Sequence, residues 1–312
     1  MVDSGAFSVW SRGAVIDHAD YIRFCQGIDA DYFVALDVIP GRPNDRASLS
    51  KQAIEDACKA GWDNYQTMVK EIPPDKVIPV YHQNDPIRWL DKYLNCGVSY
   101  MGISPGNDRS PERRSNWLQS ILPEIESAGV RTHGFGVSSP EMMAEFPWYS
   151  VDSTTWSKHA QVWQFLVPKT TRGVWDYTKI PTAVKTSPRA SDRMDRMSPG
   201  VKAIVLKYLK EQGVEAGLYE VVVTGEKQAG DMWMDSTQKA VVRTIVDGIK
   251  TNADLRMLLN MRFYREAAKA CGVTDFYFSG LSYVPEWVRE LPCVLLSFVH
   301  IPGEWKRWLL TK

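Results

Sequence analysis

The first half of the chain alternates short apolar runs with longer amphipathic ones. Apolar, partly β-branched runs at 32–36, 77–81, 100–103, 130–133 and 149–151, with a short one at Val2-Asp3 ahead of them, have the length of buried strands. Between them the period changes. Residues 48–71 place Ile54, Cys58 and Trp62 at i, i+4 and i+8, on one face of a helix, and 86–94 and 111–128 read the same way. Short strands alternating with helices predict parallel βα units. At 312 residues the chain has the length that one large α/β barrel uses. The pattern therefore predicts the α/β class and a (β/α)8 TIM-type barrel.

Nearly every predicted strand ends in polar or small residues. These are Asp3-Ser4-Gly5, Asp37, His82-Gln83, Ser104-Pro105-Gly106-Asn107, Gly134-Phe135-Gly136 and Asp152-Ser153-Thr154. In a parallel barrel the C-terminal strand ends share the active-site face. Six such clusters would converge on one mouth.

The pattern breaks after Trp156. Residues 157–210 hold eleven Lys or Arg against three Asp, whereas 1–156 hold fourteen against twenty-one acids and 211–312 twelve against thirteen. Net charge is zero but segregated, which excludes a uniformly basic coat and leaves a local basic face. Prolines at 168, 181 and 188 among Trp163, Phe165, Trp175 and Tyr177 predict an irregular stretch here. Ser198-Pro199 then starts a helix that runs to Gln212 and stops at Gly213. A β run at 218–223, a helical region from about 236 to 270, and β runs at 276–278 and 294–298 complete the chain. No internal repeat or low-complexity tract is evident. The expected organisation is a catalytic barrel region at 1–156, a basic, aromatic-containing insertion at 157–215, and a partly helical region with the closing barrel strands at 216–312.

A hydrophobic content of 44% supplies a sizeable core. The five cysteines (Cys25, Cys58, Cys96, Cys271 and Cys293) show no CxxC spacing, so they are expected as reduced, mostly core thiols, with no metal site. The N-terminus has no basic-then-apolar leader, and the apolar run at 293–299 falls far short of the ~20 residues that span a bilayer. A soluble, cytoplasmic protein is the expectation.

Asp3, Asp37 and Asp152 stand at strand ends. Each could merely cap a following helix by accepting backbone N–H groups. Three acids on one face raise one another's pKa and are costly to bury unless used. Two carboxylates across a bond also match glycosidic cleavage, in which one attacks the anomeric carbon and the other handles a proton.

These residues resemble a family. The string Val2-Asp3-Ser4-Gly5-Ala6-Phe7 resembles the Asp-Ser-Gly-Gly-aromatic motif of tRNA-guanine transglycosylases, with Ala6 in place of the second glycine. Val34-Ala35-Leu36-Asp37 is similar to the strand ending in the base-reading aspartate, and Val80-Tyr81-His82-Gln83 to the one ending in a base-reading glutamine. Tyr100-Met101-Gly102-Ile103-Ser104 resembles the strand whose glycine backbone touches the base. His133-Gly134-Phe135-Gly136 is similar to the glycine-spaced motif before the last catalytic strand, and Tyr149-Ser150-Val151-Asp152 to the segment bearing the nucleophile. The match covers roughly the first 156 residues. Leu36-Asp37-Val38-Ile39, the 133–136 string and 146–153 together resemble the phage and bacterial branch, the DNA 7-deazaguanine transglycosylases.

The resemblance implies that Asp152 attacks C1′ of a nucleotide and expels guanine, and that Asp3 serves as acid and base. It implies a base pocket in which Asp37 accepts from the guanine N1–H and 2-amino group. Gln83 and the Gly102 N–H would donate to O6, and Phe7 would cover the ring. Ser4 and His133 are expected beside the base. The implied partners are DNA, alternatively tRNA, and a free 7-deazaguanine such as 7-cyano-7-deazaguanine. No cofactor is implied, and if phage-encoded the protein would act in the host cytoplasm.

The chain departs from the family in three places. No cysteine spacing corresponds to the zinc site of the tRNA enzymes. Ser153-Thr154-Thr155-Trp156 replaces their Pro-Thr-Arg pattern. The first motif begins at residue 2, so either an upstream strand is missing or 294–298 takes that slot. His82 and His133 are each open to touching a phosphate, orienting an acid or plain structure. Residues 104–108 read as a turn or as an anion-binding loop.

A base inside a duplex must leave the stack before its C1′ can be attacked, so base flipping or a single-stranded substrate is expected. Lys158, Lys169, Arg172, Lys185, Arg189, Arg193 and Arg196, with Lys179, are candidates to track phosphates. Trp163, Trp175 and Tyr177 are expected mainly as core rather than as stacking platforms. DNA base exchange is the leading expectation. The same chemistry on tRNA and a non-catalytic nucleic-acid-binding protein on the same barrel are the alternatives.

Overall fold

A computed structural model describes residues 1–41, 49–106, 110–171, 173–182, 194, 196–224, 239–279 and 296–297. The chain forms two compact units, Met1–Thr154 with Cys271–Lys312, and Thr155–Ala270. The expected boundary after 156 falls two residues beyond the first break, and the one after 215 falls inside the second unit.

In the first unit lie β1 (Val2–Asp3), β2 (Phe33–Val34), β3 (Val77–Ile78), β4 (Val80–His82), β5 (Tyr100–Ser104), β6 (Arg131–Gly134) and β7 (Ser150–Ser153). The second unit holds β8 (Gln164–Thr171), β9 (Val174–Pro181), β10 (Leu218–Thr224) and β11 (Lys239–Val246). The chain then returns to the first unit with β12 (Asp275–Phe278) and β13 (Leu296–Ser297). The helices of the first unit are α1 (Ala6–Arg12), α2 (His18–Gln26), α3 (Lys51–Glu71), α4 (Ile87–Asn95), α5 (Pro111–Ser127) and α6 (Pro140–Glu145). Those of the second are α7 (Thr155–Gln161), α8 (Pro199–Glu211) and α9 (Ala253–Ala270).

The first unit is a mixed α/β arrangement of two parallel sheets, ordered β13-β1-β2-β3 and β12-β7-β6-β5-β4. Only Pro79 separates β3 from β4. A proline has no N–H to give a ladder, so the strand expected at 77–81 splits there. Its carbonyl still accepts the Gly102 N–H at 2.8 Å, while Ile78 accepts from Ala35 at 2.8 Å on the other side. Residues 77–82 thus border both sheets. Among the described residues no ladder joins β12 to β13, so no closed eight-stranded sheet is seen.

Helix ends follow local chemistry. Ser50 caps α3 by accepting the Ala53 N–H at 3.1 Å, and Pro73 and Pro74 bar its continuation beyond Ile72. Ser110 caps α5 ahead of Pro111, and Leu118, Ile121, Leu122 and Ile125 form its buried stripe. The apolar strand faces of the first unit meet in a cluster of Met1, Val34, Ile78, Val80, Tyr100 and Tyr277.

Three expectations need correction. The stretch after 156 is not irregular: α7 leads into an antiparallel β8–β9 hairpin closed at Gly173, whose φ of 83° suits a tight turn. Among the described residues of the region expected as helix from 236, only Ala253–Ala270 is helical. Lys239–Val246, rich in β-branched residues, pairs antiparallel with β10 instead. Of the four described cysteines, all free thiols, only Cys25 is buried, so the thiols are not mostly core. Cys293 lies outside the described residues. The run at 294–298 contributes Leu296–Ser297, parallel to β1 with Val2 opposite Leu296, and so takes the slot beside the first motif.

In the second unit, Phe165, Val167, Ile180, Val205, Leu209, Ile249 and Leu259 make the core. Trp175 and Tyr177 pack on Phe263 at 6.0 and 5.3 Å, and Arg256 lies 4.7 Å over the Trp163 ring, so these aromatics are packed but only half-buried, short of the core position expected of them. Among the described residues no helix is long and apolar enough to cross a membrane.

Candidate functional site

The three expected aspartates all sit at or just beyond strand ends of the first unit. Asp3 closes β1, and Gly5, at φ 79°, turns the chain into α1. That turn directs the backbone N–H groups of Ser4 and Gly5 at the Asp3 carboxyl, a small anion-holding nest. Burial opposes them, and the charges of Asp37 and Asp152 add to it. Together they raise the Asp3 pKa to about 7. A carboxyl poised there can both give and take a proton near neutrality.

Asp37 follows β2. Asn64 on α3 donates to the Leu36 carbonyl at 2.9 Å and ties the strand end to its helix. Asp37 Oδ2 lies 2.9 Å from His82 Nε2, and the His82 backbone N–H donates to Asp85 Oδ2 at 2.9 Å. Burial pulls the His82 pKa down, but the bond to Asp37 and the charges of Asp37 and Asp85 outweigh it, and the net shift is upward. Burial raises Asp85 itself. Of the roles open to His82, orienting an acid is the one that its contacts support.

Asp152 lies within β7 rather than after it, two residues from Ser150 and on the same face of the strand. Its Oδ1 accepts the Gly136 N–H at 2.8 Å and lies 3.6 Å from His133 Nε2. Among the described residues Oδ2 carries no hydrogen bond. His133 is fully buried, bonded through Nδ1 to Ser150 and boxed by Phe135 at 4.5 Å and Tyr277 at 5.8 Å. It is thus a buried neighbour of Asp152.

The remaining expected residues fare unequally. Phe7 is 55% exposed, with its ring tilted against that of Trp10 at 5.7 Å between centroids. Ser4 is buried, and its hydroxyl accepts the Ala6 N–H at 3.3 Å, a helix-start contact. Gln83 Oε1 accepts the Gly106 N–H at 3.0 Å, which aligns its amide. Its Nε2 makes only a 3.5 Å contact to the Arg113 carbonyl. Loop 104–106 thus acts as an anchor for Gln83, and 107 and 108 lie outside the described residues.

Gly102 departs from its expected role. Its N–H is committed to Pro79, so it does not offer a free donor to a base oxygen. The glycine is required for another reason: a Cβ there would stand 2.4 Å from Cε2 of Phe135.

Among the basic residues of the second unit, Lys158 and Arg196 are exposed. Lys169 is paired with Asp176 at 3.0 Å, which offsets its charge. Arg172, Lys185, Arg189 and Arg193 lie outside the described residues.

Sequence reasoning gave no role to Ser150, Tyr100 or Asp85. A signal existed for Ser150, because the i, i+2 spacing to Asp152 puts both on one strand face. The register that sets His133 opposite Ser150 and Gly102 is a tertiary fact with no local trace. Among the described residues no group of three or more His, Cys, Asp or Glu is arranged to hold a metal ion. Comparison of the chain with protein-family models, curated proteins and solved structures gave no match.

Proposed function

We propose that the first unit exchanges a purine at a glycosidic bond of DNA, replacing guanine by a 7-deazaguanine, with Asp152 as nucleophile. The carrying observation is the Asp3 carboxyl, raised to about 7 by burial and by Asp37 and Asp152, near an Asp152 whose Oδ1 is held while Oδ2 stays open. The ordered strand-end motifs that resemble the transglycosylases support the same reading.

Asp152 attacks C1′, and the bond from C1′ to guanine N9 breaks. Asp3 delivers a proton to the leaving purine. The incoming 7-deazaguanine loses its N9 proton to Asp3, attacks C1′ and frees the Asp152 carboxylate. Two displacements retain the configuration at C1′. In the pocket, Asp37 accepts from the purine N1–H and 2-amino group through the oxygen that His82 leaves free. Gln83 Nε2 donates to O6, and Phe7 covers the ring. A 7-deazaguanine presents the same Watson–Crick edge, so one pocket serves both bases.

The supporting architecture is an eight-stranded barrel. The two parallel sheets adjoin across Pro79, giving the order β13-β1-β2-β3/β4-β5-β6-β7-β12, which follows the chain once round from β1 and needs only the β12–β13 contact to close. The basic stretch of the second unit, with Lys158 and Arg196 exposed, supplies the phosphate contacts of a single-stranded or flipped-out substrate.

The test offers the full chain labelled guanine together with DNA or, separately, tRNA. Label is expected in DNA. Label in tRNA alone moves the substrate to RNA, and label in neither favours a non-catalytic binding protein.

A further inference from the structure

Behind Asp152 lies a file of polar groups that base exchange, as set out above, does not use. Ser150 Oγ is 2.5 Å from both Tyr100 Oη and His133 Nδ1. The other ring nitrogen of the fully buried His133, Nε2, has no hydrogen-bond partner among the described residues. It lies 3.6 Å from Asp152 Oδ1, which already accepts the Gly136 N–H at 2.8 Å.

Counting protons selects one arrangement. A serine hydroxyl has one proton, so Ser150 donates to one of its two neighbours and accepts from the other. If it donated to Tyr100, the phenol proton would need an acceptor elsewhere, and among the described residues Tyr100 Oη has no bond except that to Ser150. A buried hydroxyl proton without an acceptor is strongly disfavoured. Tyr100 therefore donates to Ser150, and Ser150 donates to His133 Nδ1. The single proton of the neutral imidazole is left on Nε2, facing Asp152.

We propose that Tyr100 and Ser150 lock His133 in its Nε2–H tautomer, and that this N–H, 3.6 Å from Oδ1 of Asp152 and outside hydrogen-bond reach in the resting protein, closes on Oδ1 during the reaction, while the Gly136 N–H already holds that oxygen and leaves Oδ2 as the attacking atom. The chemical part rests on the base-exchange reading; the tautomer does not. His133 is a positioning residue that acts through Asp152. Its N–H sits where charge returns to the carboxylate as the glycosyl ester is broken, so it favours Asp152 as leaving group in the second displacement. The ring cannot exchange this role for solvent contacts, because Phe135 and Tyr277 close around it.

The experiment combines a spectrum with a rate. Full-length protein carrying 15N-histidine is examined by long-range proton–nitrogen correlation, with His133 assigned by its loss in His133→Gln. The expected wild-type pattern is a protonated Nε2 and a bare Nδ1, giving way to a tautomer mixture in Ser150→Ala. A protonated Nδ1 in the wild type overturns the relay. In guanine exchange, Ser150→Ala is expected to lower kcat about tenfold with KM nearly unchanged. His133→Gln, which keeps an N–H directed at Asp152, is expected to outpace His133→Ala by about fivefold or more. Equal rates for those two overturn the anchoring role. If the wild type exchanges no base at all, the base-exchange reading fails, while the spectrum of the unaltered protein still decides the relay.

Discussion

Asp37 and His82 form a half-buried pair, Oδ2 to Nε2 at 2.9 Å, in which the acid holds the imidazole's charge against the pull of burial. The pair leaves Asp37 one oxygen for a ligand and fixes the plane in which that oxygen points. Asp37→Asn removes the charge that opposes burial, so the His82 pKa should fall, as read from its ring proton shifts against pH. The folded-state value is raised, so the pair's contribution to stability is fully present below the unfolded value near 6.5 and is lost as pH climbs through the folded one. Asp37→Asn should therefore cost more stability at pH 5.5 than at pH 9. An equal cost at both would show that the pair carries no charge.

Asp3 titrates in the opposite functional sense but by the same linkage. Its folded pKa, about 7, lies above the ordinary 3.8, so the fold loses stability as pH rises from about 4 to about 7. Asp3→Asn removes that cost. Thermal or urea denaturation should show the variant gaining on the wild type by a few kcal/mol at pH 8 relative to pH 4.5, roughly 4 at most. Guanine release by the wild type should fall above pH 7 with a one-proton slope, because the leaving purine needs the Asp3 proton. A flat profile from pH 6 to 9 would remove Asp3 from that role.

Gly102 is expected to tolerate no side chain while Phe135 is present. Gly102→Ala should cost about 1–3 kcal/mol in urea denaturation, because its Cβ would press on the Phe135 ring, which also packs on His133. Adding Phe135→Ala should remove part of that cost. Simple additivity of the two changes would contradict the packing account.

The second unit has its own polar rivet. Asn260 is fully buried, accepts from the Leu166 N–H at 2.9 Å and donates to the carbonyls of Trp156 at 3.0 Å and Gln164 at 3.3 Å. Asn260→Ala strands three buried backbone groups, so a loss of about 3 kcal/mol is expected on denaturation. A loss under about 0.5 kcal/mol would show that water replaces the side chain.

The parallel βα pattern of the first half was legible because alternating strand and helix periods are local, and so was each strand-end aspartate. Residues 239–246 were misread because β-branched runs beside a long helix share its hydrophobicity, and only pairing with β10 separates them. The hairpin at 164–181 was hidden by Pro168 and Pro181, which a two-stranded ribbon tolerates on its open edges. Gly102 was read as a ligand contact because glycine permits close approach, and sequence does not say that the approaching group is Phe135. Ser150 and Tyr100 escaped notice for the same reason, since their roles arise from register across strands.

The central claim is that Asp152 becomes bonded to the sugar. Full-length protein is incubated with end-labelled DNA without incoming base, then denatured and digested, and any adduct is located by mass spectrometry. The account predicts a covalent DNA adduct on the peptide that carries Asp152, absent in Asp152→Asn and discharged when a 7-deazaguanine is added. An adduct that forms equally in Asp152→Asn, or maps to another residue, would contradict it.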